Sequence, residues 1–401
     1  MASTLRVSAH LALRGLQRGN RFTTVLTVLI IALVFIMLCF QPSLNAGIIS
    51  AVNNQIIDYS FGNIVVEPKE HQVYIDHAAG LKKKIDRIPG VVASTPEYKL
   101  GATYTFKDTQ YSGPLYAIDP SDARPVLRTH TKMLSGEFLS DGDRGQIVLG
   151  AILAGNKDQK LDKVKALRGA QVGDTVDVAY SNGVVRSYRV KGIYATDSLS
   201  ADMSAVITRE EAESVTGLSD KASLILIRLS PSVDENAFKT TLMQYGVQEP
   251  VKTWSEEAGA FMTDTAKTFE ALNAIMTIFY LLFASIVVFI VVYINTTNKR
   301  KQIAIMKAIG IKREIIINDY LIQVLVLCGI GIILGLMLFL LQTQAMTANP
   351  VRFPSMGVVT PVVSLSLITS GILDLLVVSF IAGYIPAWTT TREEILDGMR
   401  G

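Results

Sequence analysis

The sequence predicts an α-helical membrane protein with four transmembrane helices and an α+β two-lobed domain outside the membrane. Three observations carry this. Hydrophobic residues make up 49% of the 401 positions and charged residues only 18%, against about 25% charged in soluble chains. Four apolar stretches are each long enough to cross a bilayer core about 30 Å thick, which takes about 20 helical residues. The charge that remains is concentrated in one long segment between the first and second stretches. A mean hydropathy of +0.35 agrees. This composition excludes a disordered chain, a collagen-like fibre and a disulfide scaffold, and does not suit a wholly soluble enzyme.

The N-terminal segment 1–22 reads as a basic amphipathic helix, with Arg6, Arg14, Arg18 and Arg21 and no acid. The first span is 23–41. Residues 42–265 form the large polar segment. The second span is 266–297, inside a run from Ala271 to Asn298 that has no charge in 28 residues. A loop at 298–315 leads to the third span, 316–341. A short loop at 342–363 precedes the fourth, 364–388, which carries one acid, Asp374, and leaves 389–401 as a tail.

Orientation follows from Lys and Arg near the span ends. The first 22 residues hold four arginines, and the 298–315 loop holds Lys299, Arg300, Lys301, Lys307, Lys312 and Arg313. The opposite flanks offer only Lys267 and Arg352. Both termini should therefore be cytoplasmic and residues 42–265 outside. The first span could instead be a cleaved signal peptide, being apolar, preceded by basic residues and followed by small ones near Ala46. Its basic segment and apolar run are both longer than that reading wants, and cleavage would leave the other spans in the same orientation.

Residues 42–265 hold 24 Lys and Arg against 28 Asp and Glu, while the rest of the chain holds 14 against 7. The basic excess is thus a membrane-orientation signal and not a nucleic-acid footprint. Cys39 and Cys328 both fall in apolar spans. The polar segment must hold together by its own core.

Alternation and turns mark strands in that segment: 62–68, then Thr175–Tyr180 and Val184–Ile193, joined by Ser181, Asn182 and Gly183, a hairpin signal. Helical pieces are expected at Asp76–Arg87, Arg209–Thr216 and Asp234–Tyr245. The turn-rich stretch at about 105–225 reads as one lobe inserted into the sequence of the other. Ser255 with Glu256 and Glu257 looks like a helix N-cap with acids in the first turn. From there to Asn298 there is no Pro, and Gly259 is the one glycine. A single helix of that length would be about 65 Å long, twice the hydrocarbon thickness, and would project as a stalk. Ile48, Val52 and Ile56 suggest a partner stalk. The alternative is shorter helices joined by kinks.

No phosphate-binding loop, H-E-x-x-H or G-x-S-x-G motif occurs, so no nucleotide hydrolysis or hydrolase of those kinds is expected, and no catalytic residue, cofactor or metal is assigned to this chain. His71 and His77, beside Glu70 and Asp76, lack any strong ligand spacing and read as a solvated loop. Lys82, Lys83 and Lys84 read as a solvated helix face.

The informative stretch is NKRKQIAIMKAIGIKREI, 298–315. It puts Ile305, Ala308 and Ile309 on one helical side, with cations at both ends and Gly310 as a stop signal. Alone it could be a membrane-surface amphipathic helix. It also resembles the segment after the second span in MacB/FtsX/LolC-type ABC transporter permeases, whose topology is the one deduced above. LALRGLQRGNRFTTVLTVLIIAL (11–33) resembles that family's basic start. Gly136–Leu139, QIVLGAILA (146–154), VGDTV (172–176) and RVKGIYA (189–195) resemble its outer lobe. IPAWTTTREEILDGMRG (385–401) resembles its C-terminal motif without the second proline.

The resemblance implies a permease dimer, from identical or related chains, joined to two separately encoded ATPase subunits that bind ATP and Mg. It implies transmission of ATP-driven motion along stalks to the outer domains. Lys301, Ile305, Met306, Lys307, Ala308, Ile309 and Gly310 would then form the loop seated in the ATPase. Membrane lipid, and an adaptor or lipoprotein outside, are further implied partners. Two functions stay open: export or release of an amphiphilic substrate, lipoprotein or peptide, or activation of a cell-wall hydrolase outside. The size of the outer domain favours the first.

Asp374 lies near the middle of its span, where an acid costs several kcal/mol unless paired or wetted. It is either a functional acid or a structural one, bonded to Ser or Thr or protonated.

Overall fold

The computed structural model describes residue 12 and residues 21–156, 166–353 and 357–392. The expected basic helix at 1–22 lies outside the described residues except at 12, 21 and 22, and the expected tail at 389–401 is described only at 389–392, which are helical. In chain order the labelled elements begin with α1 (Arg21–Ile56), β1 (Ile64–Val66), β2 (Ile75–Asp76), α2 (Ala78–Ile85), β3 (Val91–Phe106) and β4 (Thr109–Ile118). There follow β5 (Met133–Gly136), β6 (Gln146–Gly150), β7 (Thr175–Tyr180), β8 (Val185–Tyr194), β9 (Ala205–Thr208), α3 (Arg209–Thr216) and β10 (Lys221–Ala222). Then come β11 (Leu224–Leu229), α4 (Glu235–Gln244), β12 (Val251–Thr253), α5 (Trp254–Asn298), α6 (Arg300–Ala308) and α7 (Arg313–Ala348). The last described elements are β13 (Val351–Phe353), β14 (Gly357–Val359) and α8 (Leu365–Arg392). It divides into a helical unit, 1–49 with 265–351 and 359–401, and an α/β unit, 50–264 with 352–358.

Among the described residues, four helices are long and apolar enough to cross a membrane: those over Arg21–Phe61, Asp264–Asn298, Arg313–Ala348 and Leu365–Thr389. Within the helical unit their inward faces share one core that includes Phe35, Val288, Cys328, Phe339 and Leu375. α1 and α7 meet through small residues. A Cβ on Gly331 would lie 2.6 Å from the Ile31 side chain. Gly331 and Gly335 are four apart, the spacing that lets membrane helices pack backbone to backbone. Polar pairs tie α1 to α5: Asn45 Nδ2 donates to Asn273 Oδ1 at 2.6 Å, and the Tyr280 hydroxyl donates to Gln41. Ser43, just past Pro42 in α1, exchanges two bonds with Val362: its hydroxyl donates at 2.9 Å, and its carbonyl accepts the Val362 N–H at 3.0 Å.

In the α/β unit, β3 pairs with β4, β4 with β9, β9 with β6, β6 with β8, β8 with β7, and β7 again with β3. These six strands therefore close into a barrel, which leaves no free edge among them. Its interior is filled by inward-facing residues such as Tyr104, Leu115, Ile147, Val176, Tyr188 and Ile207. The first half of β3 continues into an open sheet of order β12-β1-β11-β3. There α2 and α4 cover Ile64, Ile225 and Ile227 with Ile85, Phe238 and Leu242. The expected inserted lobe at 105–225 does not start in a linker, because residue 105 lies inside β3 and the two lobes share that strand. The hairpin at 181–183 turns through Gly183 at φ +84°, and the Asn182 side chain accepts the Val184 N–H at 3.1 Å.

Two local readings need correction. The N-cap of α5 is Thr253, not Ser255: the Thr253 hydroxyl accepts the Glu256 N–H at 3.3 Å, and Glu256 accepts the Thr253 N–H at 2.9 Å. That is a capping box, in which Ser255 is already the second helical residue. Nor is α5 one uninterrupted helix, since Gly259 takes φ 65° and ψ −150° and breaks it. Glycine reaches that conformation without steric cost, and the helix regular enough to span begins after it.

Candidate functional site: the helix between the second and third spans

α6 follows α5 after Lys299. Its residues divide by helical period into two faces. Ile303 and Ala304 are buried, at 2% and 4% exposure, whereas Ile305 and Ile309 are 56% and 71% exposed. Lys301, Ala308 and Gly310 are exposed as well. Positions 301, 305, 308 and 309 fall at i, i+4, i+7 and i+8, one stripe of a helix. An apolar stripe flanked by cations is thus turned out of the helical unit while the opposite face is packed in.

The C-terminal end of α6 explains how this face is held. Gly310 takes φ +89°. Its N–H donates to the Lys307 carbonyl at 3.0 Å, and the Ile311 N–H donates to the Met306 carbonyl at 3.0 Å. This is a Schellman motif, which needs a left-handed residue just past the helix. Its usual apolar contact is present, since Met306 and Ile311 both pack against the core of the helical unit. Of the seven residues singled out in this loop, Met306 is therefore an anchor, and Lys307 is half-buried. Sequence reading missed the anchors Ile303 and Ala304, although they follow from the same helical period two positions round.

Asp374 is half-buried on α8, between exposed Leu373 and fully buried Leu375. Its carboxyl makes no hydrogen bond or ion pair among the described residues, so the bond to Ser or Thr expected of a structural acid is not formed there. His71 and His77 lie in left-handed turns of the α/β unit. His77 Nδ1 is 3.6 Å from Asp220.

Known proteins resemble this chain over most of its length. A family model described as the MacB-like periplasmic core domain matches residues 24–245, and one described as the FtsX-like permease C-terminal region matches residues 274–395. An uncharacterized ABC transporter permease of Methanocaldococcus jannaschii is 22% identical over 398 residues, 96% of this chain and 95% of its own. HrtB of Staphylococcus haemolyticus, a permease named for hemin transport, is 26% identical over 343 residues, 83% of this chain and 85% of its own. The periplasmic region of MacB from Actinobacillus actinomycetemcomitans aligns with 48% of this chain and 87% of its own, at 11% identity and a TM-score of 0.35. The extracellular domain of the noncanonic ABC-type transporter YknZ aligns with 48% of this chain and 97% of its own, at 12% identity and a TM-score of 0.34.

Proposed function

The chain belongs to the MacB/FtsX-type ABC transporter permeases, and we propose from this that it couples ATP hydrolysis by a separate cytoplasmic ATPase to motion of its α/β domain. It is a multi-pass protein of the inner membrane. In this reading it works as a dimer with two ATPase subunits, both of its termini are cytoplasmic, and ATP and Mg are bound by the partner. The work done is export or release of an amphiphilic substrate at the outer face. A relative named for hemin transport supports an amphiphile.

The observation that carries the reading is the outward stripe of α6. Ile305 and Ile309 expose apolar surface at a helix whose other face is fixed to the core. A stiff, capped helix between two spans is suited to pass a displacement, and an exposed apolar stripe with cationic flanks is suited to a protein groove. The test is Ala308→Asp beside Ile305→Asp. A charge buried in the docking groove without a partner typically costs several kcal/mol. Tagged permease should then lose its ATPase on co-purification, or keep it with hydrolysis no longer coupled to transport. The variant should still fold, because neither side chain is packed in the core. Full ATPase binding and activity in both variants would remove α6 as the coupling element.

A further inference from the structure

Where β3, β4, β8 and β9 show the outer wall of the barrel to loop 119–139 and turn 199–202, there is an open-mouthed cleft whose interior offers about 40 Å³ to the centres of water-sized spheres. Its lining is mostly apolar and aromatic and includes Tyr116, Ile118, Leu127, Phe138 and Val206. Glu97 also lines it, at only 4% exposure. Tyr98 and Tyr104 face the barrel interior, so Glu97, one position before Tyr98, faces the opposite way, toward the cleft.

A buried acid is normally hydrogen-bonded or paired, because an uncompensated one costs several kcal/mol. The Glu97 main-chain carbonyl accepts the Ser223 N–H at 2.8 Å, but its carboxyl makes no hydrogen bond and no ion pair among the described residues. The Tyr116 hydroxyl on the same wall likewise has no partner among them. Several other polar groups nearby are committed. Asp202 accepts the Thr196 N–H at 2.8 Å and the Thr196 hydroxyl at 2.7 Å. The Tyr194 hydroxyl bonds the Ala201 carbonyl at 2.8 Å. Arg124, at the rim, donates to the Leu139 carbonyl at 3.1 Å. Burial pushes the Glu97 carboxyl up to about 8, opposed by Lys99 two residues along β3. A concave apolar cleft with a few convergent polar groups left over is the usual form of a small-molecule site.

We propose that this cleft binds a small amphiphilic amine, its ammonium on the Glu97 carboxylate and the Tyr116 hydroxyl, its apolar body against Ile118, Phe138 and Val206. The unpartnered acid, Glu97, is buried in the wall, whereas the cation of the lining, Arg124, is exposed at the rim, which favours a cation over an anion in the interior. A lone carboxylate, with Asp202 already occupied, favours an organic cation over a metal ion. The site lies wholly within the α/β unit and is independent of the ATPase docking proposed for α6.

The probe is phenethylamine, titrated calorimetrically into the full-length permease in lipid nanodiscs, with neutral 2-phenylethanol as its counterpart. Binding the ammonium requires Glu97 to lose its proton. Affinity for phenethylamine should therefore rise by about tenfold or more from pH 6.5 to 8.5, with proton release seen as a buffer-dependent heat. The other groups facing Glu97 are Lys99, Arg124 and the phenols of Tyr59, Tyr116 and Tyr194, and burial pushes all three phenols up, away from that window. Glu97→Gln should weaken binding about tenfold and abolish the pH dependence. The wild-type pH profile tests the idea even if the variant folds poorly. Affinity that is flat or falling over this range, 2-phenylethanol binding as tightly as the amine, or unchanged binding in folded Glu97→Gln would each overturn the proposal.

Discussion

Gly335 and Ala32 meet backbone to backbone: a Cβ on Gly335 would lie 2.8 Å from the Ala32 carbonyl oxygen and 3.0 Å from the Phe35 ring. Neither neighbour is the free end of a flexible chain, so α1 and α7 would have to separate. Gly335→Leu should therefore lower the thermal midpoint of the purified permease, by an overpacking cost of about 1–3 kcal/mol. Gly329→Leu is the control. It brings the same gain in helix propensity, about 1 kcal/mol, to a position with nothing within 4 Å. The control should be neutral or stabilising. Equal midpoints for the two variants would contradict close packing of α1 on α7.

Glu97 also sets a pH dependence of stability. Its carboxyl is raised from 4.5 to about 8 by burial. Between those values the native chain holds a proton that the unfolded chain has lost, so stability is full below about pH 4.5 and falls until about pH 8, after which it is level. Glu97→Gln has no such loss. The variant and wild type should unfold alike at pH 4.5, and the variant should be the more stable at pH 8.5, by on the order of 4 kcal/mol. Thermal midpoints at the two pH values measure this, and a wild type that gained on the variant with rising pH would refute it.

Orientation is tested by cysteine labelling on a background lacking Cys39 and Cys328. A membrane-impermeant maleimide added outside intact cells should label Ser181→Cys, in the β7–β8 hairpin. It should miss Gln302→Cys, on the exposed side of α6, until the cells are opened. The reverse pattern would invert the chain in the membrane.

What could be read from sequence was what depends on neighbours in the chain. The 28 uncharged residues from Ala271 to Asn298 announce a span wherever they sit. The Asn182-Gly183 turn and the helix Arg209–Thr216 are likewise local, and both occur where the sequence predicts them. The outward stripe of α6 follows from helical period alone. Barrel closure does not, because it requires β3 to pair with β7 across about 75 residues of sequence, at Tyr104 and Val178 for example. The cap of α5 was misplaced by two residues because Ser255 beside two acids hid the Thr253–Glu256 spacing. The importance of Glu97 arises only when loop 119–139 folds over β3 and β4, and no pattern along β3 records that.

Asp374 gives the last test. It lies on α8, in a segment apolar enough to span the membrane, and no described residue bonds or pairs with it. An acid held by a structural partner is destabilising to lose, whereas an unpartnered acid in hydrocarbon costs about 2.5–3.5 kcal/mol to keep at a span centre. Asp374→Leu should therefore raise the thermal midpoint of the permease or leave it unchanged, and Asp374→Asn should assemble with the ATPase as well as wild type. A marked fall in midpoint for both variants would show that Asp374 has a structural partner, contributed by a second copy or another subunit. Turnover separates the remaining readings. If both variants assemble and transport normally, the acid is a tolerated feature of the span. If they assemble with full stability and turnover collapses, its carboxyl takes part in the working cycle, because no packing or bonding loss would then be left to explain the defect.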